Sequence, residues 1–336
     1  NILFLYLFIS LLEDSGYMAR AAFIMDKLMH RMGLHGKSFI PMIMGFGCNV
    51  PAVMATRSIE SRKSRLITIL IIPFMSCAGR LPVYILIAGA FFPHNAGLVL
   101  LGLYALGIVL AVLSARLFSH FVKDDDLPFV MELPPYRIPT AKSVFRHTWE
   151  KGKQYLQKMA GTILICSIVI WALGYFPHHD RYASAAEQQE NSYIGYVGKA
   201  IEPVLEPLGF DWKMGVGIIA GVGAKELVVS TLGVMYNVGS EEGIEAGAGA
   251  AAAVPDGQSV EVDGDTALQR ALQRTTTPAA ALAFMVFVLL YFPCIATFVA
   301  IKNEAGGWKW AIITAVYTIL VAWIAAFITF RIALLF

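Results

Sequence analysis

The chain has 336 residues, 57% of them hydrophobic and 15% charged, with a formal net charge of +2 and a mean hydropathy of +0.63. A soluble globular domain carries about a quarter of its residues charged. This chain has too little polar surface for a water-facing shell and reads as an all-α, polytopic membrane protein. No long basic run or RNA-binding signature is present, which speaks against nucleic acid as a partner.

Asn1 opens inside an apolar run, and residues 1–12 read as the end of a span. The chain is therefore expected to be the later part of a longer protein, not one that starts with a signal peptide. Glu13 and Asp14 follow at a membrane boundary. The next apolar segment, about 39–56, is interrupted by 45-GFGCNVPA-52. Loop 57–65, RSIESRKSR, holds four basic residues and one acid and reads cytoplasmic by the positive-inside rule. Spans of roughly 20 apolar residues follow at about 66–90 and 98–118. The FFPHNAG link between them lacks Lys and Arg and reads as external.

Residues 1–119 thus form a first repeat with its spans. Residues 120–158 hold seven basic residues and read as a cytoplasmic loop. Within it Phe145, Trp149 and Leu156 recur at helical spacing among lysines, the pattern of a helix lying in the interface. Residues 159–336 form the second half: a span at 159–176, an external stretch at 177–211, a second Gly-interrupted segment at 213–236, and spans at 279–300 and 311–333. An Ala/Gly-rich insert, 238–277, reads as a flexible loop.

The two interrupted segments match. GFGCNVPAVMAT (45–56) and GVGAKELVVSTL (221–232) each follow a lysine and an apolar run. Downstream, PFMSCAGRLPVY (73–84) and YFPCIATFVAI (291–301) each place a Cys after a Pro, at Cys77 and Cys294. The second copy is longer by about the length of the insert, which points to internal duplication. Paired Gly/Pro-interrupted segments in two halves are the sequence pointer to a transporter's site. Broken backbone at membrane depth survives only where protein buries it or a cavity wets it. If both segments span, the repeats run parallel; if both are re-entrant hairpins, the repeats are inverted. The inverted version is preferred, because it puts basic 13–38 and Lys302/Lys309 inside with the acidic insert outside.

The residues at the breaks suggest metal chemistry. Cys48 and Asn49 lie at the first break with Met44 and Met54 nearby; Cys77, beside Ser76, and Cys294 take matching places in the two halves. Sulfur suits the softer transition metals, and Asn adds a neutral oxygen. Carboxylates are too few for a Mg²⁺ or Ca²⁺ site. No CxxC or HExxH pattern marks a closed zinc site. The four cysteines, Cys48, Cys77, Cys166 and Cys294, all lie in apolar segments, against a disulfide framework. At the second break Glu226 follows Lys225. Either Lys225 neutralises Glu226 or Glu226 faces the ion. Gly36-Lys37-Ser38 is not a phosphate loop, since the Gly such a loop needs upstream is Arg31 here. No nucleophile–base arrangement appears, so the chain is not expected to be an enzyme.

GFGCNVPAVMATRS, PFMSCAGRLPVY, PFVMELPPYRIPT (128–140), GAKELVVSTLGVMYN and YFPCIATF, in this order, resemble the bacterial ferrous iron transport protein B family from about Glu13 to Lys309. Each half resembles that family's Gate segment. The resemblance implies an inner-membrane importer of Fe²⁺ with an ion path near the Gate cysteines, here Cys48 and Cys294 with Cys77 close by. Ala224 stands opposite Cys48, so the halves are not chemically equivalent. It also implies an N-terminal G-protein domain using GTP and Mg²⁺, which this sequence does not contain; no cofactor is implied for the chain itself. The implied partners are membrane lipid, that G-protein domain, the small cytoplasmic proteins A and C, and further copies in an oligomer. The alternative is a nucleoside or other small-solute transporter of the same Gate architecture, which would want aromatic and amide groups at the breaks.

Overall fold

The computed structural model describes residues 2–121, 139–176, 192–236 and 263–335. Most of the 128–140 motif, the 177–191 stretch and the first part of the insert lie outside the described residues. All regular elements described are helical. In chain order they are α1 (Ile2–Asp14), α2 (Tyr17–Arg31), α3 (Phe39–Gly47), α4 (Asn49–Ala55), α5 (Arg62–Ile71), α6 (Leu81–Phe91), α7 (Ala96–Phe121) and α8 (Ala141–Tyr175). Then come α9 (Tyr193–Leu205), α10 (Trp212–Gly223), α11 (Leu227–Tyr236), α12 (Asp263–Thr275), α13 (Pro278–Leu290), α14 (Ile295–Ala305) and α15 (Trp308–Ala333).

Four helical stretches are long and apolar enough to cross a membrane: Arg62–Phe91, Ala96–His120, Pro278–Ala305 and Trp308–Ala333. They coincide with four of the spans expected from the sequence. The first and third break near their middles. One passes from α5 through turns at Ile72–Phe74 and Ala78–Arg80 into α6; the other passes from α13 through 291–294 into α14. Pro73 and Pro293 sit at these breaks, where a ring without an N–H cannot continue the helical ladder. The expected span at 159–176 is the later part of α8, which leaves Leu164, Ile165, Ile168, Val169 and Trp171 exposed. The reach read as an interfacial helix, 140–158, is the earlier part of the same continuous helix.

One expectation is corrected. The insert 238–277 is not loop throughout, because Asp263–Thr275 is helical. Leu268 and Leu272, four apart on one face, are 4% and 2% exposed, and Gln273 donates from Nε2 to the Ala90 carbonyl. The composition of the insert hid an i, i+4 apolar pair with a surface to pack on.

The chain divides into two compact units, interleaved in sequence: Asn1–Ala78, Tyr104–Leu164 and Ile295–Ile319 form one, and Gly79–Leu103, Ile165–Cys294 and Leu320–Phe336 the other. Each unit combines an interrupted segment from one half of the sequence with the trailing helix of a broken span from the other half. In the first unit α4 packs on α14; in the second α11 packs on α6.

In both units the interrupted segment is a hairpin whose ends meet. Lys37 and Glu60 flank α3–α4, and Lys37 Nζ donates to Glu60 Oε1 at 2.7 Å. Asp211 precedes α10 and Tyr236 ends α11, and the Tyr236 hydroxyl donates to Asp211 Oδ2 at 3.1 Å.

The base of the first unit is pinned by a buried acid. Arg57 Nε donates to Glu304 Oε2 at 2.6 Å, and Arg57 Nη2 donates to Oε1. Arg65 Nη2 reaches the Glu304 carbonyl at 2.9 Å and Oε2 at 3.3 Å. Loop 57–65 therefore ties α14 down as well as carrying a basic excess. Burial of a lone carboxylate is costly, and two guanidinium groups compensate it.

Candidate ion site

The first break is built from α3 outward. Met44 and Gly45 lie on its buried side. The last helical bond of that turn runs from the Cys48 N–H to the Met44 carbonyl at 3.0 Å. Cys48 then opens to extended backbone, φ −153° and ψ 130°, and α4 starts at Asn49. Pro51 falls in the first turn of α4, where an amide has no helical partner to lose. Gly45 is required by close approach, since a Cβ there would lie 2.9 Å from Met75 Cβ. That places α3 directly against the extended backbone of Met75, φ −70° and ψ 123°.

Asn49 is 4% exposed, and its Oδ1 is buried with no hydrogen-bond partner among the described residues. It sits 3.6 Å from the position a Gly45 Cβ would take. An unsatisfied buried amide oxygen costs about 1–3 kcal/mol, and such a group calls for an explanation. Cys48 adjoins it, half-buried, and Cys77 and Cys294 are half-buried too; all three are thiols outside any disulfide. Ser76, beside Cys77, is buried.

Met44 and Met54 line one cavity of about 320 Å³ in the first unit, together with Met18, Glu13, Arg57 and Lys151. None of these four was offered as a site residue by the sequence; Met18 adds a third thioether, and Lys151 Nζ contacts Glu13 from α8. Glu13 and Asp14 are thereby held by α8: Ser143 Oγ donates to Asp14 Oδ2 at 3.0 Å, and His147 Nδ1 lies 3.2 Å from Asp14 Oδ1.

The second break repeats the backbone of the first. Ala224 ends α10 at φ −147° and ψ 137°, within a few degrees of Cys48. Its two charged residues part company. Lys225 turns inward, 5% exposed, and its Nζ donates to the Phe292 carbonyl at 2.8 Å. Glu226 is exposed, with Oε1 3.3 Å from where a Gly79 Cβ would stand. Cys48, Asn49, Cys77, Met44 and Met54 belong to the first unit; Glu226 and Cys294 belong to the second. Among the described residues no three His, Cys, Asp or Glu side chains gather at metal-binding distance. The first break carries a thiol and an amide oxygen at consecutive positions, while the Met44 and Met54 thioethers line a cavity whose lining residues do not include Cys48 or Asn49.

Comparison with known proteins bears on what that donor set handles. The family model described as Gate, nucleoside recognition, matches residues 1–91 and 156–308. The stretch between is matched at residues 100–151 by the model described as ferrous iron transport protein B C terminus.

The chain belongs to the ferrous iron transport protein B family.

Among similar members of that family is an Fe(2+) transport protein A/Fe(2+) transporter FeoB fusion protein of Porphyromonas gingivalis, 56% identical over 100% of this chain and 42% of the relative. The Fe(2+) transporter FeoB of Staphylococcus aureus strain MSSA476 is 44% identical over 100% of this chain and 46% of its own length. That of Campylobacter jejuni is 41% identical over 99% of this chain and 52% of its own length. The chain thus spans about half the length of these family members. No solved structure matches the chain.

Proposed function

We propose that this chain is the permease portion of a ferrous iron importer of the inner membrane, and that Fe²⁺ crosses the first unit at the α3–α4 break. The observation that carries this reading is the buried Asn49 oxygen without a partner, beside Cys48 at a helix break in a chain of this family. Fe²⁺ exchanges water for Asn49 Oδ1, the Cys48 sulfur and backbone carbonyls, with Met44 and Met54 as soft neighbours. Neutral donors hold it loosely enough for release. Cys77 is proposed as a further ion contact in the first unit, and Cys294 and Glu226 as ion contacts within the second. Fe²⁺ sits low in the Irving–Williams order, so selectivity comes from geometry and supply, not raw affinity.

The hairpins are proposed to be re-entrant and the repeats inverted. The Lys37–Glu60 and Asp211–Tyr236 contacts favour this, because they return each interrupted segment to its starting side. A G-protein domain using GTP and Mg²⁺ elsewhere in the longer protein gates or drives the passage. The fusion of transport protein A to a relative of this chain favours protein A as a partner; protein C and self-association are proposed on the family resemblance alone. The nucleoside alternative loses ground, since the relatives are named for Fe(2+).

The test is radiolabelled Fe²⁺ uptake under reducing conditions, in iron-starved cells expressing the full-length gene. Cys48→Ser combined with Asn49→Ala is expected to cut uptake roughly tenfold or more, the equivalent of about 1.4 kcal/mol, at equal membrane levels. Undiminished uptake in the double variant would move the path away from this break.

A further inference from the structure

The second hairpin holds a cation where the first holds an oxygen. The register that pairs Gly45 with Gly221 pairs Cys48 with Ala224 and Asn49 with Lys225, and the matching extended backbone at Cys48 and Ala224 bears the register out. Asn49 ends in an amide oxygen with no hydrogen-bond partner among the described residues. Lys225 ends in an ammonium inside a formed pocket. Its Nζ lies 2.8 Å from the Phe292 carbonyl oxygen and 3.2 Å from the centre of the Tyr291 ring. A carbonyl oxygen and an aromatic face are the ligands a desolvated cation takes.

The pocket is firmly made. Tyr291 is 2% exposed and stacks on Phe287, centroids 5.5 Å apart. Extended backbone at Tyr291, φ −65° and ψ 177°, interrupts the helix there, which turns the Phe292 carbonyl out of the helical ladder and toward Lys225. Gly221 lets α10 close over the ring, since a Cβ there would fall 2.2 Å from the Tyr291 hydroxyl oxygen. In the first unit the equivalent close approach is Gly45 on Met75, with the Asn49 oxygen alongside.

We propose that Lys225 is a built-in cation: its ammonium fills, in the second hairpin, the place that the first hairpin leaves to a mobile cation. The two halves are then a closed and an open version of one site, which accounts for their unequal residues. The second clause rests on the ion path proposed for the first break; the ammonium pocket stands on its own geometry.

The test is chemical rescue on the full-length protein purified in detergent without iron. Lys225→Ala removes three methylenes and the ammonium, so n-propylammonium is the matching probe. The variant is expected to unfold at a lower temperature than wild type. n-Propylammonium, at tens of millimolar, is expected to raise its midpoint by several degrees more than it raises wild type's, and 1-propanol is not. Equal effects on variant and wild type, or equal effects of amine and alcohol, overturn the proposal. Lys225→Met keeps the stem without the charge and decides the matter if the Ala variant does not fold. It is expected to be less stable than wild type, and a midpoint equal to wild type's overturns the proposal. Because no iron enters this assay, its failure leaves the uptake result standing, and the converse also holds.

Discussion

Asn49 carries an unusual liability: a buried oxygen whose desolvation no hydrogen bond among the described residues compensates. Residues kept for stability do not look like this. Thr68 does the opposite in the same unit, with its Oγ1 2.9 Å from Ser38 Oγ and donating to the Ser64 carbonyl at 2.6 Å. The two should respond in opposite ways to loss of the polar group. Thr68→Val is expected to lower stability by about 1 kcal/mol, because it strands a buried hydroxyl. Asn49→Ala is expected to leave the unfolding midpoint unchanged or raised while uptake falls, since a small void offsets only part of the relief. That combination is the signature of a residue retained for function at a cost in stability. A midpoint lowered as much as by Thr68→Val would mean that the Asn49 oxygen has a structural partner after all.

At the scale of elements, the two hairpins depend on what closes their bases. The loop before α3 contains His35, close to Asp26 at 3.8 Å. Its pKa is lowered from 6.5, first by burial and then by His30 and Lys37, with Asp26 and Glu60 opposing. A histidine whose folded pKa is depressed contributes its full stability above the unfolded value. As pH falls below about 6.5, the unfolded chain takes up the proton first and stability declines until the folded pKa is reached. Wild type is therefore expected to lose thermal stability on acidification through this window, and His35→Gln to lose less, as read by melting curves across pH. The other closure is Glu304, whose side chain is 4% exposed against 49% for Arg57. Glu304→Gln is expected to cost about 3 kcal/mol, the low end for breaking a buried pair, because the arginines are partly screened by solvent. These elements were unevenly legible. The breaks at Cys48 and Ala224 were plain from Gly and Pro in apolar runs, and four spans from their length. The helix Asp263–Thr275 was obscured by a low-complexity neighbourhood, and the Glu304 knot by a separation of 247 residues from Arg57. Hydropathy reports a segment's own preference, not the partner that a distant segment supplies.

For the whole molecule, the two units are interleaved in sequence, as an internal duplication would leave them. Each broken span contributes its leading helix to one unit and its trailing helix to the other, so neither half of the sequence makes a complete unit alone. The site residues drawn from the sequence inherit this division, with Met44, Cys48, Asn49, Met54 and Cys77 in one unit and Glu226 and Cys294 in the other. Sequence pattern could pair the halves but could not show that Lys225 fills one of them, because an Asn and a Lys at matching positions look like simple divergence. Lys37, Glu60, Arg57, Arg65 and Glu304 form contacts within one unit, so the segments carrying them lie together, and their basic excess is expected on the cytoplasmic side. If the hairpins are re-entrant, the Ala/Gly run at 246–253 emerges on the opposite face. An epitope inserted at Ala250 is then expected to be reached by antibody in spheroplasts with sealed inner membranes, and one inserted at Ser61 only after permeabilisation. Labelling of both epitopes from the same side would replace the inverted repeat with a parallel one, because an even number of crossings would then separate the two loops.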